Sequence, residues 1–112
     1  MGVGHPNWIT LNVGGHKFNC QRTLFEEEPD SILAKMVEGH RFCQIDRTKD
    51  GTYLIDRSPE YFKVVLNYFR TGKVFISSDL CWTGVLEEAR FFAVEGMIQK
   101  CEEIKFYTPN MP

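Results

Sequence analysis

His40 and Cys43 stand three residues apart, a spacing at which an imidazole and a thiolate can share one zinc ion. A structural zinc takes about four ligands, and neither His5 and His16 nor Cys20, Cys81 and Cys101 supplies a second pair, so no metal is expected. Glu26-Glu27-Glu28, Glu87-Glu88 and Glu102-Glu103 could offer an acid and a base. Adjacent acids on a helix diverge by about 100° and ordinarily make a solvated face. No Ser/His/Asp or Cys/His framework stands beside them, so neither an enzyme nor a cofactor is expected. Gly14-Gly15 looks like the start of a phosphate loop, but no third glycine, Lys-Ser/Thr pair or following helix completes it. A hairpin turn is the reading that fits. Asp56-Arg57 is either a local ion pair at the start of a helix or a planar fork for a carboxylate across a subunit interface. Spacing favours the local pair.

Phe91 is the remaining candidate. Over 84–94, Val85, Leu86, Ala89, Phe92 and Ala93 fall on one stripe at about 100° per residue. Phe91 lies about 160° from that stripe, beside Glu87. Single exposed aromatics are common on protein surfaces. A phenylalanine on a charged helix face is also what a protein-binding hot spot looks like. Both readings stay open.

These residues must be carried by a framework, and periodicity outlines it. Trp8-Ile9-Thr10-Leu11-Asn12-Val13 alternates as a strand with Ile9, Leu11 and Val13 on its buried face. Gly14-Gly15 turns the chain into a second strand over 16–20, with Phe18 and Cys20 on one side. Leu24 and Phe25 begin an irregular or helical stretch. Asp30 is expected to cap a helix over 31–37 whose apolar side is Ile32, Leu33 and Met36, ending at Gly39. A polar loop over 40–51 leads to a third strand over 52–55. Ser58-Pro59 opens the clearest helix, with Phe62, Val65, Leu66 and Phe69 at helical spacing and an end near Gly72. Val74-Phe75-Ile76 reads as extended, and Ser77-Ser78-Asp79 as the cap of a short helical turn. Thr83-Gly84 opens the helix to about Val94, and Gly96 is expected to break it before a last helix to about Ile104. The class is α/β or α+β, with three early strands and four or five helices.

Composition closes off other classes. One domain is what 112 residues allow, and 43% hydrophobic with 25% charged residues is a globular mixture. Fifteen acidic and 13 basic side chains leave a charge of −2, with no electrostatic reason to bind nucleic acid or anionic lipid. Apolar runs such as Phe91-Phe92-Ala93-Val94 fall far short of the ~20 residues that span a bilayer, so no membrane insertion is expected. No signal peptide opens the chain, and Pro6 stands where a myristoylation motif needs Ser or Thr. The four scattered cysteines read as reduced thiols, so the expected compartment is the cytoplasm, with the nucleus also open.

A family pattern runs through the same residues. Leu11-Asn12-Val13-Gly14-Gly15, Phe18, Thr23-Leu24 and Pro29-Asp30-Ser31 with Leu33 resemble the opening of the tetramerisation-type BTB/POZ domain. Leu54-Ile55-Asp56-Arg57-Ser58-Pro59-Glu60-Tyr61-Phe62, Leu66-Asn67-Tyr68, Arg70-Thr71-Gly72 and the run from Val85 through Phe92 continue it. The likeness implies an α/β BTB/POZ fold over 8–105, a three-stranded sheet with about five surrounding helices. A disordered or added leader over 1–7 and a boundary tail over 106–112 would flank it. It is similar to the potassium-channel tetramerisation domains and, more, to the soluble KCTD proteins. Cys101 stands alone where many channel domains carry a His-x5-Cys…Cys-Cys zinc motif, so no intersubunit zinc is implied.

The KCTD likeness implies a homo-oligomer, a pentamer or tetramer, that binds cullin-3 as part of a ubiquitin-ligase substrate adaptor. The alternative it leaves is an assembly domain of a potassium channel or receptor regulator with no ligase role. By resemblance, Phe91 with neighbouring Glu87 is the cullin contact. Asn12, Asp56 and Arg57 match polar positions that line subunit interfaces, as does position 20, where Cys20 replaces a threonine common in relatives.

Overall fold

Alternation builds the sheet as the sequence predicts. Trp8–Val13 (β1) buries Ile9, Leu11 and Val13, and Gly14 and Gly15 take φ of +57° and +94° to turn the chain. His16–Gln21 (β2) returns antiparallel, with Ile9 opposite Cys20 and Val13 opposite His16. Tyr53–Ile55 (β3) pairs parallel to β1 on its other side, so the order is β2-β1-β3. A computed structural model describes residues 7–41, 43 and 45–107, with side chains in the last helix as far as Glu103. The expected leader and tail lie outside these residues, save Asn7 and the helical 106–107. The Asn7 carbonyl accepts the Arg22 N–H at 2.7 Å.

A parallel strand needs a crossover. Here it contains a 3₁₀ turn, Arg22–Glu27, which carries the fully buried Phe25, and the helix Ile32–Glu38 (α1). Ser31, not Asp30, caps α1. The Ser31 hydroxyl accepts the Ala34 N–H at 3.1 Å, and the Ile32 N–H donates to the Phe92 carbonyl at 2.8 Å. Docking against that distant carbonyl fixes the start one residue later than Asp30 would.

Pro59–Thr71 (α2) follows β3 closely and buries Phe62, Val65, Leu66 and Phe69 as expected. Ser58 occupies the cap position, yet its hydroxyl donates to Glu60 Oε1 at 3.0 Å instead of accepting a backbone N–H. The segment 74–76 stays outside the three-stranded sheet, and 77–80 is a single turn closed by the Leu80 N–H on the Ser77 carbonyl at 3.1 Å.

Trp82–Phe91 (α3) begins one residue before the expected Thr83 and ends earlier than the expected Val94. Its end is a paired C-terminal motif: the Ala93 N–H reaches the Arg90 carbonyl and the Val94 N–H the Ala89 carbonyl, each at 3.0 Å. Ala93 holds the left-handed φ of +56° that glycine ordinarily supplies, at a cost of about 1 kcal/mol. Gly96 therefore breaks nothing; it lies in the first turn of Glu95–Tyr107 (α4). A side chain there would collide with Tyr68 Oη and Glu28 Oε2. Glu28 accepts a hydrogen bond from that hydroxyl at 2.9 Å and one from the Gly96 N–H at 3.4 Å.

The helices meet the sheet through a relay of rings. Phe18 packs on Phe62 (5.2 Å between centroids), Phe62 on Phe92 (5.4 Å) and Phe92 on Phe91 (4.9 Å), all edge-on. Phe62 and Phe92 are sealed from solvent, Phe18 is half-buried and Phe91 emerges. Burying such a side chain contributes roughly 1.5–3 kcal/mol, so the relay ties sheet, α2 and α3 into one core. No helix among the described residues is long and apolar enough to cross a membrane.

Candidate functional site

Arg57 sits in the short link between β3 and α2, and its side chain crosses to α3. Its Nε donates to Glu88 Oε2 at 3.2 Å and its terminal nitrogen to Glu88 Oε1 at 2.7 Å, a two-pronged charge-assisted pair. The Glu88 side chain is only 6% exposed, that of Arg57 31%. The hydrogen-bonded carboxylate pushes the Arg57 guanidinium above its ordinary pKa. Two expectations change here. Glu87-Glu88 is not a uniformly solvated face, because Glu88 is buried; and Arg57 pairs with Glu88, not with its neighbour Asp56, which is exposed. Position 88 lies one turn after Val85 and one turn before Phe92, both buried. That spacing was the available signal.

The same guanidinium lies over Phe91, its carbon 3.8 Å from the ring centroid. Phe91 is 49% exposed, as its helical phase predicts. One ring face is covered by Arg57, and Phe92 packs against it at an interplanar angle of 89°. Glu87, one turn earlier on α3, is exposed and pairs with Arg90 at 3.6 Å; Arg90 also reaches Glu102 at 3.6 Å. Such surface pairs add little stability. Together they give the end of α3 a half-exposed aromatic ring with charges of both signs nearby.

Asn12 serves the hairpin: its Oδ1 accepts the Gly15 N–H at 2.9 Å. That turn abuts the site, since the Gly14 N–H donates to the Ile55 carbonyl at 2.9 Å, two residues before Arg57. Cys20 is elsewhere. It is 1% exposed in this chain's own core, where burial pushes its thiol up to about 11, so its side chain is not on the surface where a neighbouring subunit would meet it. That burial agrees with the strand's own alternation, which puts Cys20 beside Phe18.

The His40–Cys43 pair gains no further ligand; among the described residues no cluster of three or more His, Cys, Asp or Glu could hold a metal. The Cys43 thiol instead donates to the Ile32 carbonyl at 3.5 Å.

Nothing in its sequence context marks Cys81. It is exposed at the N-terminal cap of α3, with Thr83 Oγ1 at 3.3 Å and Tyr61 Oη at 3.6 Å from its sulfur. Hydrogen bonds from Thr83 and then Tyr61 bring its pKa down to about 7, while burial pushes Cys101 up to about 11. The thiolate is the nucleophile, so iodoacetamide should modify Cys81 ahead of Cys20 and Cys101. The rate should climb about tenfold per pH unit below pH 7 and flatten above it. Peptide mapping after timed alkylation checks this; a rate still climbing steeply from pH 8 to 9 would mean an ordinary thiol.

Comparison with known proteins decides the family. The BTB/POZ domain model matches residues 9–101, from the first buried residue of β1 into α4. The chain belongs to the BTB/POZ family. The BTB/POZ domain-containing protein KCTD9 of Mus musculus is 46% identical over 99 residues, covering 88% of this chain and 29% of that protein. KCTD5 of Rattus norvegicus is 40% identical over 113 residues, covering 97% of the chain and 48% of the relative. For KCTD17 of Homo sapiens the figures are 41% over 113 residues, 97% and 36%. The chain thus spans less than half the length of these curated relatives, and its likeness to them places it in the KCTD group. A KCTD-type BTB/POZ domain supports a protein-interaction and oligomerisation role, with self-association as a kind of partner.

Proposed function

We propose that this BTB/POZ domain closes into a ring of four or five copies and binds cullin-3 through the outward face of α3. It would form the assembling half of a ubiquitin-ligase substrate adaptor. One observation carries the reading: Phe91 is a half-exposed aromatic whose ring is already packed by Arg57 and Phe92. Interface energy concentrates in a few such anchors, Glu87 and its neighbours acting as a polar rim. Asn12, Asp56 and Arg57 remain the candidates for the contact between copies. Four free thiols suit a reducing compartment, cytoplasm or nucleus.

The test is mass-resolved sizing with and without the N-terminal domain of cullin-3, followed by titration calorimetry. A closed oligomer that takes up cullin-3 is expected. Phe91→Ala should weaken that binding by more than about 1 kcal/mol, roughly fivefold, with little change in thermal unfolding because the ring is half-exposed. A monomer at tens of micromolar would sink the assembly. A closed ring that ignores cullin-3 would leave a channel- or receptor-associated assembly role standing in its place.

A further inference from the structure

Phe91 is the last residue of α3, and an exposed ring at a helix end would ordinarily sample several rotamers. Here one face carries a guanidinium at 3.8 Å, and that guanidinium is itself fixed by two hydrogen bonds to a buried carboxylate. We propose that Arg57 is the positioning residue of the α3 surface: clamped by Glu88, its plane holds Phe91 in one outward rotamer, so a partner meets a ring that is already ordered. The binding part of this inference rests on α3 being the cullin-3 face; the ordering of the ring needs no partner.

The chemistry asks for arginine. Only a flat, delocalised cation can lie on a ring face while presenting two parallel N–H donors to one carboxylate. A lysine in its place would keep the charge and lose both the plane and the fork. Glu88 makes the relation testable, because at 4% exposure it is too buried to touch a partner. Any effect of Glu88→Gln on binding must therefore pass through its neighbours. Ordering one side chain in advance corresponds to about two- to tenfold in affinity.

Two measurements decide it. In the free domain, 4-fluorophenylalanine incorporated at Phe91 should give one fluorine resonance displaced from that of a solvated ring. Arg57→Lys and Glu88→Gln should each move it toward the solvated position. In calorimetry with the cullin-3 N-terminal domain, each substitution should weaken binding about two- to tenfold when Phe91 is present and have almost no effect on top of Phe91→Ala. A resonance unmoved in both variants, or already at the solvated position in the unsubstituted chain, overturns the proposal. So does the same loss with and without Phe91, which would mean a general structural effect or a direct contact by Arg57. If the unsubstituted domain does not bind cullin-3, that functional reading falls, and the fluorine resonances alone decide the positioning role.

Discussion

Arg57→Ala should lower the stability of the folded chain by about 3 kcal/mol, and Glu88→Ala by clearly less, about 1–2 kcal/mol. The asymmetry comes from burial. Without Arg57, a carboxylate only 6% exposed loses both hydrogen bonds it makes among the described residues. An uncompensated buried charge costs about 3–5 kcal/mol, and the low end applies because the 31% exposed Arg57 site lets water approach. Without Glu88, the long guanidinium arm can swing into solvent and regain water partners for its two lost hydrogen bonds, leaving mainly a small void. Replacing both residues with leucine should recover most of the loss, since two apolar groups leave nothing unpaired. Urea midpoints at one fixed protomer concentration give the comparison, because self-association makes apparent stability concentration-dependent. Equal costs for the two single substitutions would show that burial does not make the pair lopsided.

Much of this framework is legible in the sequence, and the exceptions share a cause. Period-2 alternation placed β1, and the Ser-Pro start with its spaced aromatics placed α2, because those signals are local. The burial of Glu88 is hidden from the sequence because its partner lies 31 residues away, and an acidic doublet looks solvated unless something cationic reaches it. The true end of α3 is not legible, and Gly96 looks like the break, because the left-handed residue is an alanine. The packing that holds Ala93 there, with Ile32 bonded to the Phe92 carbonyl, is tertiary. Gly96 itself is needed for room beside Tyr68 and Glu28, not for its φ. Phe91 was legible because helical phase alone sets it apart from the core. Its arginine cover is not, for the link carrying Arg57 and the α3 residues Glu88 and Phe91 meet only in the folded chain.

Gly14→Ala should be more damaging than any change on the α3 surface, costing about 3–4 kcal/mol, whereas Gly15→Ala should cost about 1–2 kcal/mol. Both glycines sit at positive φ, so both substitutions pay for a left-handed alanine. They differ in what stands in front of them. A methyl group on Gly15 would meet nothing within 4 Å. On Gly14 it would collide with the Arg57 carbonyl oxygen and crowd Pro59 Cδ at 3.1 Å. No rotamer relieves a clash between a Cβ and a backbone oxygen, and the Gly14 N–H is held at 2.9 Å from the Ile55 carbonyl, so the strands or the link must move. The link is what aims Arg57 at Glu88 and Phe91. Gly14→Ala should therefore also move the fluorine resonance of a ring labelled at Phe91, at a temperature where the domain is still folded, while Gly15→Ala leaves it in place. Similar unfolding midpoints for the two variants would mean that the hairpin does not press on the link, and that the turn and the α3 surface are independent.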